Sequence, residues 1–214
     1  VFNGLAEAAD GLIVMGNSQW MDPANKNWFK PGVALQSVRV VEVESSGSPL
    51  LRPLIDLPGE LLAVTELDRN GFLAFTRTPQ KGKSSEIQAS ACDGYEAYFI
   101  ASLEAPAYGA ATAGGRRLFV ANKEGVERHL LTNDGEFTAE TPLESGWMPD
   151  SLRWIDGILI GARWNALFLA DDASTDLTKW KFPTWNPGVD RVVPTANGGL
   201  LVPFGEYGVE RLER

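Results

Sequence analysis

Short apolar runs, each placed just after a turn dipeptide, dominate the hydrophobic pattern of the chain. The turn dipeptides are Asp10-Gly11, Asn70-Gly71, Gly114-Gly115, Asp156-Gly157 and Gly198-Gly199. The runs that follow, such as residues 72–75, 118–121 and 158–161, are a few residues long and bounded by Gly, Asp or Asn. Runs this short are typical of buried strands and do not suffice for a helix. The pattern therefore predicts strands joined by tight hairpins, where glycine supplies the positive φ that such turns need.

These turns recur at a regular spacing. Gly71, Gly115, Gly157 and Gly199 are separated by 44, 42 and 42 positions, and the sequence Gly-Val-Glu-Arg occurs at 125–128 and again at 208–211. A period of about 40–50 residues with several short strands per unit is typical of a β-propeller. We predict an all-β fold, a five-bladed β-propeller with blades of about 42 residues.

A single propeller domain over residues 1–214 accounts for the whole chain. Its blades would be approximately 1–58, 59–104, 105–144, 145–186 and 187–214. In the third blade the predicted strands are 107–113, 117–122, 126–132 and 137–142. The last blade lacks an outer strand, so a part of a larger propeller is the alternative to a complete ring.

The turn after the third strand of the fourth blade has a recognisable sequence. Its matching residues are Ser174, Asp176, Thr178 and Trp180. They resemble the Asp-box turn of BNR-repeat propellers, a family that includes sialidases and photosystem II assembly factor-like proteins. A weaker copy lies at 132–137, with Phe137 at the tryptophan position. In that family the aspartate carboxylate accepts backbone N–H bonds and the aromatic ring packs between strands. The resemblance therefore implies the fold and no activity.

Charge and composition exclude several classes of function. Nineteen basic against 28 acidic residues give a net charge of −9, which would repel a phosphate backbone, so no nucleic acid partner is expected. No apolar run is long enough to span a membrane, and no signal peptide pattern is present in this chain. Cys92 and His129 are the only residues of their types, so neither a disulfide framework nor a ligand-spaced metal site is predicted. No cofactor is expected, and Cys92 is predicted to be a small buried apolar residue.

Tryptophans supply the candidate ligand contacts. Aromatic side chains exposed in loops form stacking platforms for the apolar faces of sugar rings, whereas those in strands pack between blades. The predicted ligand contacts, all in loops, are Trp20, Trp28, Trp164 and Trp185. Trp154 and Trp180 lie in predicted strands and are expected to be packing residues.

Carboxylates near the propeller axis supply an alternative. Glycoside hydrolysis needs two carboxyl groups about 5–10 Å apart. The candidates, near the ends of predicted inner strands, are Glu66, Asp68, Asp150 and Asp190. The interpretation that these are turn residues and solvated strand ends is favoured over a catalytic one.

The function predicted is a non-catalytic binding or scaffolding module that recognises a carbohydrate or protein partner at one face of the ring. The alternative is a carbohydrate-active enzyme, a glycoside hydrolase or lyase, that uses the axial carboxylates. A third hypothesis is an assembly part of a larger protein. A binding module needs exposed loop tryptophans, whereas an enzyme needs converging carboxylates of which at least one has a perturbed pKa.

Overall fold

The protein is built from short strands. The computed structural model describes the chain outside residues 1, 8–12, 19–35, 44–46, 69–70, 81–83, 107–109, 145–148, 156, 172–177, 182–191, 196, 198, 204–207 and 214. The strands are β1 (Phe2–Glu7), β2 (Ile13–Ser18), β3 (Gln36–Val43), β4 (Pro49–Leu57), β5 (Glu60–Asp68), β6 (Gly71–Pro79), β7 (Ser84–Cys92), β8 (Ala97–Pro106), β9 (Ala111–Gly114), β10 (Arg117–Asn122), β11 (Gly125–Leu131), β12 (Phe137–Glu144), β13 (Ser151–Ile155), β14 (Ile158–Arg163), β15 (Ala166–Asp171), β16 (Thr178–Lys181), β17 (Val193–Pro194), β18 (Leu200–Pro203) and β19 (Val209–Leu212). None of the described residues is helical. The all-β prediction is confirmed.

Consecutive strands form each sheet. The first four sheets contain β1 to β4, β5 to β8, β9 to β12 and β13 to β16, each in chain order, and the fifth contains β17, β18 and β19 over its described residues. The pairing is antiparallel, for example between β13, β14 and β15. Where only two residues join consecutive strands of one sheet, as at 115–116, 123–124 and 164–165, the connection is too short for any but antiparallel neighbours. In the third sheet the strands agree with the predicted ranges to within a few residues over the described part, with β9 beginning at Ala111 and β12 running on to Glu144. Residues 107–109 of the first predicted strand lie outside the described residues.

The chain divides into two compact units. The first consists of Val1–Tyr108, Gly115–Arg117 and Leu130–Thr138. Within it, Ile55 and Leu57 of β4 pack with Phe72 and Cys92 of the second sheet in one buried cluster. β1 and β2 also contact β5, the first strand of the second sheet. The first two sheets therefore pack face to face.

The second unit consists of Gly109–Gly114, Leu118–His129 and Ala139–Arg214. Its fourth sheet is buried on both faces. Leu159 and Phe168 lie in a cluster with Phe119 of the third sheet, while Ile160 and Leu169 lie in a cluster with Leu200 of the fifth. Successive side chains of a strand point to opposite faces, so a strand covered on both sides is apolar throughout. This double burial explains why residues 158–161 form a continuous apolar run and not an alternating one.

Glycines make room for two aromatic rings of this unit. Gly161 lies directly opposite Phe168 in the pairing of β14 with β15, and the Phe168 ring covers the site that a Cβ of residue 161 would fill. The indole of Trp154 covers Gly114 in the same way and stacks on Phe119, with 5.0 Å between the ring centroids. Any residue larger than glycine at position 114 or 161 would clash with the aromatic ring that covers it.

The first strands of successive sheets are neighbours within each unit. In the second unit β9 contacts β13, and Arg153 of β13 donates from Nη1 to the carbonyl oxygen of Val192, the residue before β17, at 3.2 Å. In the first unit Thr65 of β5 donates from Oγ1 to the carbonyl oxygen of Gly115, at 2.8 Å. Sheets that pack face to face with their first strands side by side are consistent with a β-propeller-like fold.

Candidate functional site

Trp164 lies in the two-residue turn between β14 and β15 and has an unusual backbone conformation. Arg163 pairs with Ala166, so Trp164 and Asn165 form the turn. Trp164 has a φ of +51° and is the single described residue other than glycine with a positive φ. Tight hairpins place glycine at such positions, because a Cβ there is strained. The side chain is nevertheless 69% exposed, so burial of the indole does not compensate for the strain.

A neighbouring cation covers one side of this indole. The Arg163 guanidinium carbon lies 4.7 Å from the ring centroid of Trp164. The Nε atom of Arg163 is buried without a hydrogen-bond acceptor. A partly desolvated guanidinium interacts more strongly with an aromatic face than a hydrated one does. Arg163 therefore holds the Trp164 ring in place while most of the ring surface stays open to solvent.

Asp150 lies at the same end of the fourth sheet. Its backbone N–H donates to the carbonyl oxygen of Ala162 at 2.8 Å, one residue before the turn-flanking Arg163, and the residue is exposed. Asp150 thus lies at the same strand end as the exposed indole. An apolar ring flanked by hydrogen-bonding groups suits a sugar, whose ring has apolar C–H faces and a rim of hydroxyl groups.

The other predicted site residues lie outside the described residues or in the first unit. Trp20, Trp28, Trp185 and Asp190 lie outside the described residues. Asp68 is the last residue of β5, and its side chain lies outside what the structure describes. Glu66 is exposed on β5 in the first unit, whereas Asp150 and Trp164 belong to the second. A convergence of these four carboxylates therefore stays a prediction.

Residues predicted to be packing residues are found in cores. Trp154 and Trp180 pack against the two buried clusters that flank the fourth sheet. Cys92 is buried in the first unit. Burial, with the nearby Asp93 carboxylate, raises the pKa of the Cys92 thiol to about 12, so the thiol is protonated and unreactive at neutral pH. His129 lies on β11 with Nε2 at 3.2 Å from Oε2 of Glu127, as an intrastrand pair.

The turn at 132–137 is closed by Thr132 and Glu136. The hydroxyl Oγ1 of Thr132 accepts from the N–H of Glu136 at 3.3 Å, and the N–H of Thr132 donates to the carbonyl oxygen of Glu136 at 2.8 Å. Thr195 and Gly199 form the same pair of bonds between β17 and β18. Threonine thus closes both turns with its hydroxyl oxygen and its backbone N–H, and the resemblance to an Asp-box turn stays a prediction. In the stronger match, Ser174 and Asp176 lie outside the described residues.

An exposed aromatic cluster on the second sheet was not anticipated from the sequence. Tyr95 in the turn after β7, and Tyr98 and Phe99 at the start of β8, are 53–64% exposed. The guanidinium carbon of Arg52 lies 4.4 Å from the Tyr95 ring centroid. A usable signal was the sequence Asp93-Gly94-Tyr95-Glu96-Ala97-Tyr98-Phe99, a turn dipeptide followed by three aromatics in five positions. An aromatic pair in a strand is equally typical of a core, so this signal by itself does not predict exposure.

Hydrogen bonds order this turn. Oδ1 of Asp93 accepts from the N–H groups of Tyr95 and Glu96 at 2.9 and 3.0 Å. The bonds from Glu96 and then Tyr95 lower the pKa of the Asp93 carboxyl below its ordinary 3.8. The Tyr98 hydroxyl donates to Oε2 of Glu96 at 3.1 Å and lies 3.5 Å from Oδ2 of Asp93. The bond to Glu96, with the negative charges of Asp93 and Glu96, raises the pKa of Tyr98 above its ordinary 10.0.

The substitution Glu96→Gln is expected to lower the pKa of Tyr98 back toward 10.0. The amide still accepts the hydroxyl proton, but it carries no charge that disfavours the phenolate. An NMR titration of the Tyr98 ring carbon bonded to the hydroxyl, in wild type and variant, measures the change, and the missing signal of Tyr98→Phe assigns the resonance. An unchanged midpoint in Glu96→Gln would show that Glu96 does not bind the hydroxyl in solution.

Two comparisons with known proteins find no relative from which a function could be inferred. A scan against protein-family models finds no match, and a search of curated proteins finds no significant one. Among the described residues no group of three or more His, Cys, Asp and Glu side chains is arranged to hold a metal ion. The same part of the chain contains no helix of the length and apolarity that a membrane span requires.

Proposed function

We propose that this protein is a non-catalytic binding module, a β-propeller of five blades that recognises a carbohydrate or protein partner at one face of its ring. Packing supports the propeller, since successive sheets share buried clusters and their first strands are neighbours within each unit. Strand ends and turns at one face of such a ring are exposed on a rigid base, which is where binding residues concentrate.

Trp164 carries the proposal. A non-glycine residue with positive φ costs about 1–3 kcal/mol, and such strain clusters at functional sites. The exposed indole gains little burial in return, so the strain is best explained by a ligand that covers the ring. Because the exposed Asp150 lies at the same strand end, the ring is better suited to a sugar than to an apolar peptide side chain, so a carbohydrate is the favoured ligand.

The substitution Trp164→Gly is expected to weaken glycan binding by about tenfold or more, about 1.4 kcal/mol, because the stacking face is lost. Trp164→Phe retains an aromatic face and should retain most of the affinity. A glycan array of neutral and acidic oligosaccharides identifies the probe, and calorimetric titration with the strongest oligosaccharide compares the three proteins.

Stability supplies the control for this experiment. Glycine relieves the strain at φ +51° but is more flexible when unfolded, so the free energy of unfolding should be unchanged or higher by up to about 1 kcal/mol. A loss of binding therefore cannot be attributed to unfolding. Equal affinity of wild type and Trp164→Gly would refute the site, and no bound glycan at millimolar concentration would refute a carbohydrate ligand and leave the protein partner.

The enzyme alternative has weaker support. It needs two carboxyl groups that converge, and the candidates whose side chains are described, Glu66 and Asp150, are each exposed. Exposed carboxylates at strand ends are what solvation alone predicts. We therefore propose binding and not hydrolysis.

A further inference from the structure

The outer strand of the second sheet carries a second surface with features of a binding site. β8 pairs with β7 alone among the described strands, so it is the edge of its sheet. The β8 surface, as named here, consists of Asp93, Tyr95, Glu96, Tyr98, Phe99 and Glu104. All six residues are exposed. Edge strands with exposed aromatic side chains are usually covered by another segment or a partner molecule, since an uncovered edge is prone to aggregation.

A contact within the chain shows that an aromatic ring of the β8 surface binds a cation. Arg52 of β4 places its guanidinium carbon 4.4 Å from the Tyr95 ring centroid, so a cation already occupies the face of one ring. Tyr98 and Phe99 offer further exposed rings. The Tyr98 hydroxyl brings the carboxylates of Asp93 and Glu96 to the edge of this cluster. Aromatic faces flanked by carboxylates attract lysine and arginine side chains.

A pair of like charges lies farther along the strand. Glu104 of β8 is directly opposite Glu86 of β7 in the strand register. Directly opposed like charges destabilise a sheet. A cation from another molecule would relieve this repulsion. Tyr98 is opposite Ala91 and Glu104 is opposite Glu86 in the register with β7, so Tyr98 and Glu104 lie on opposite faces of the sheet. Along the strand they are about 17 Å apart, at about 3.3 Å per residue of β7.

We propose that the β8 surface is a docking site for an extended segment of a partner protein that is rich in lysine or arginine. Side chains of an extended segment alternate between faces, so one cationic side chain packs on Tyr98 beside Asp93 and Glu96, and another on the opposite face pairs with Glu104 about 17 Å along the strand. The net charge of −9 favours the encounter with a basic partner. The unpaired edge of β8 lets such a segment lie alongside the strand.

A fluorescently labelled oligo-lysine peptide of about eight residues, long enough to span this distance, is the test probe. We expect it to bind the intact protein, and we expect Tyr95→Ala/Phe99→Ala to weaken binding about fivefold or more, whereas Tyr95→Phe/Phe99→Tyr keeps it. Glu104→Gln should weaken binding while leaving the thermal unfolding midpoint unchanged or slightly higher, because it removes a repulsion. An unfolded variant would not show that combination.

A charge-matched control separates docking from general attraction to an acidic protein. Asp93→Asn/Glu96→Gln and Glu124→Gln/Glu210→Gln each remove two negative charges, and Glu124 and Glu210 are exposed residues outside the β8 surface. The first variant should weaken binding more than the second. Equal loss in both, or unchanged affinity of the aromatic alanine variant, would overturn the proposal. Because Trp164→Gly should bind the peptide normally, failure here is distinct from failure of the proposed glycan site.

Discussion

The substitution Phe168→Ala is expected to lower the free energy of unfolding by about 3–5 kcal/mol, the cost of removing a buried phenylalanine ring and leaving a cavity. Phe168 is 0% exposed and packs with Phe119, Leu159 and Ala170 between the third and fourth sheets. The strands around the cavity are held by hydrogen bonds on both sides, so the site cannot collapse easily. Urea denaturation followed by circular dichroism measures the loss.

Phe99→Ala is the matched control, because it removes the same atoms from a ring that is 64% exposed. Its effect should lie within about 0.5 kcal/mol of wild type. A similar loss in both variants would mean that Phe168 is no more buried in solution than Phe99, and would contradict the face-to-face packing of the third and fourth sheets.

The substitution Gly161→Ala should cost about 1–3 kcal/mol, although alanine is larger by only one methyl group. The added Cβ would occupy the place of the Phe168 ring, which is itself enclosed and cannot move away freely. The same denaturation experiment measures the cost. A wild-type stability of Gly161→Ala would show that the ring does not cover Gly161.

The double variant Gly161→Ala/Phe168→Ala tests whether contact with the Phe168 ring causes the loss of stability in Gly161→Ala. The atoms nearest to the new methyl group all belong to the Phe168 ring, so most of the added cost of Gly161→Ala should vanish when the ring is removed. The two substitutions should therefore be non-additive by about 1–3 kcal/mol, as expected for residues in direct contact. Additive losses would assign the effect of Gly161→Ala to the backbone and not to the ring.

Local sequence was sufficient to predict the strands because strand length, turn residues and burial on both faces leave a short-range signature. The apolar run at 158–161 marks a strand covered on both sides, and the turn glycines mark where the chain reverses. Trp154 was predicted to pack for the same reason: an aromatic in such a strand has a neighbouring sheet on either face.

The candidate site was predictable only in part. That Trp164 lies in a turn follows from its place between two apolar runs, and its exposure follows from the turn. Its positive φ, the guanidinium of Arg163 over its ring and the approach of Asp150 to Ala162 depend on how β13, β14 and β15 are paired. Exposure of Tyr98 and Phe99 was not predictable, because it depends on β8 being the edge of its sheet.

The repeated sequence Gly-Val-Glu-Arg distinguishes what local sequence determines from what tertiary structure determines. In both copies it predicts a strand that begins after a glycine, and both copies are found in strands, β11 and β19. Val126 is buried, and Arg128 is buried with Nε donating to the carbonyl oxygen of Thr141 at 2.7 Å. Val209 is 66% exposed, and Arg211 is exposed as well.

Sequence alone therefore determined where this chain forms strands and turns and that its fold is all-β, because backbone propensity and side-chain alternation act within a few residues. Tertiary structure decided which of these strands are covered and which are edges, because burial depends on neighbours distant in the chain. Identical residues are core in β11 and surface in β19 for that reason. The candidate binding surfaces lie at Trp164 and on β8, where a turn or an edge strand leaves aromatic rings uncovered.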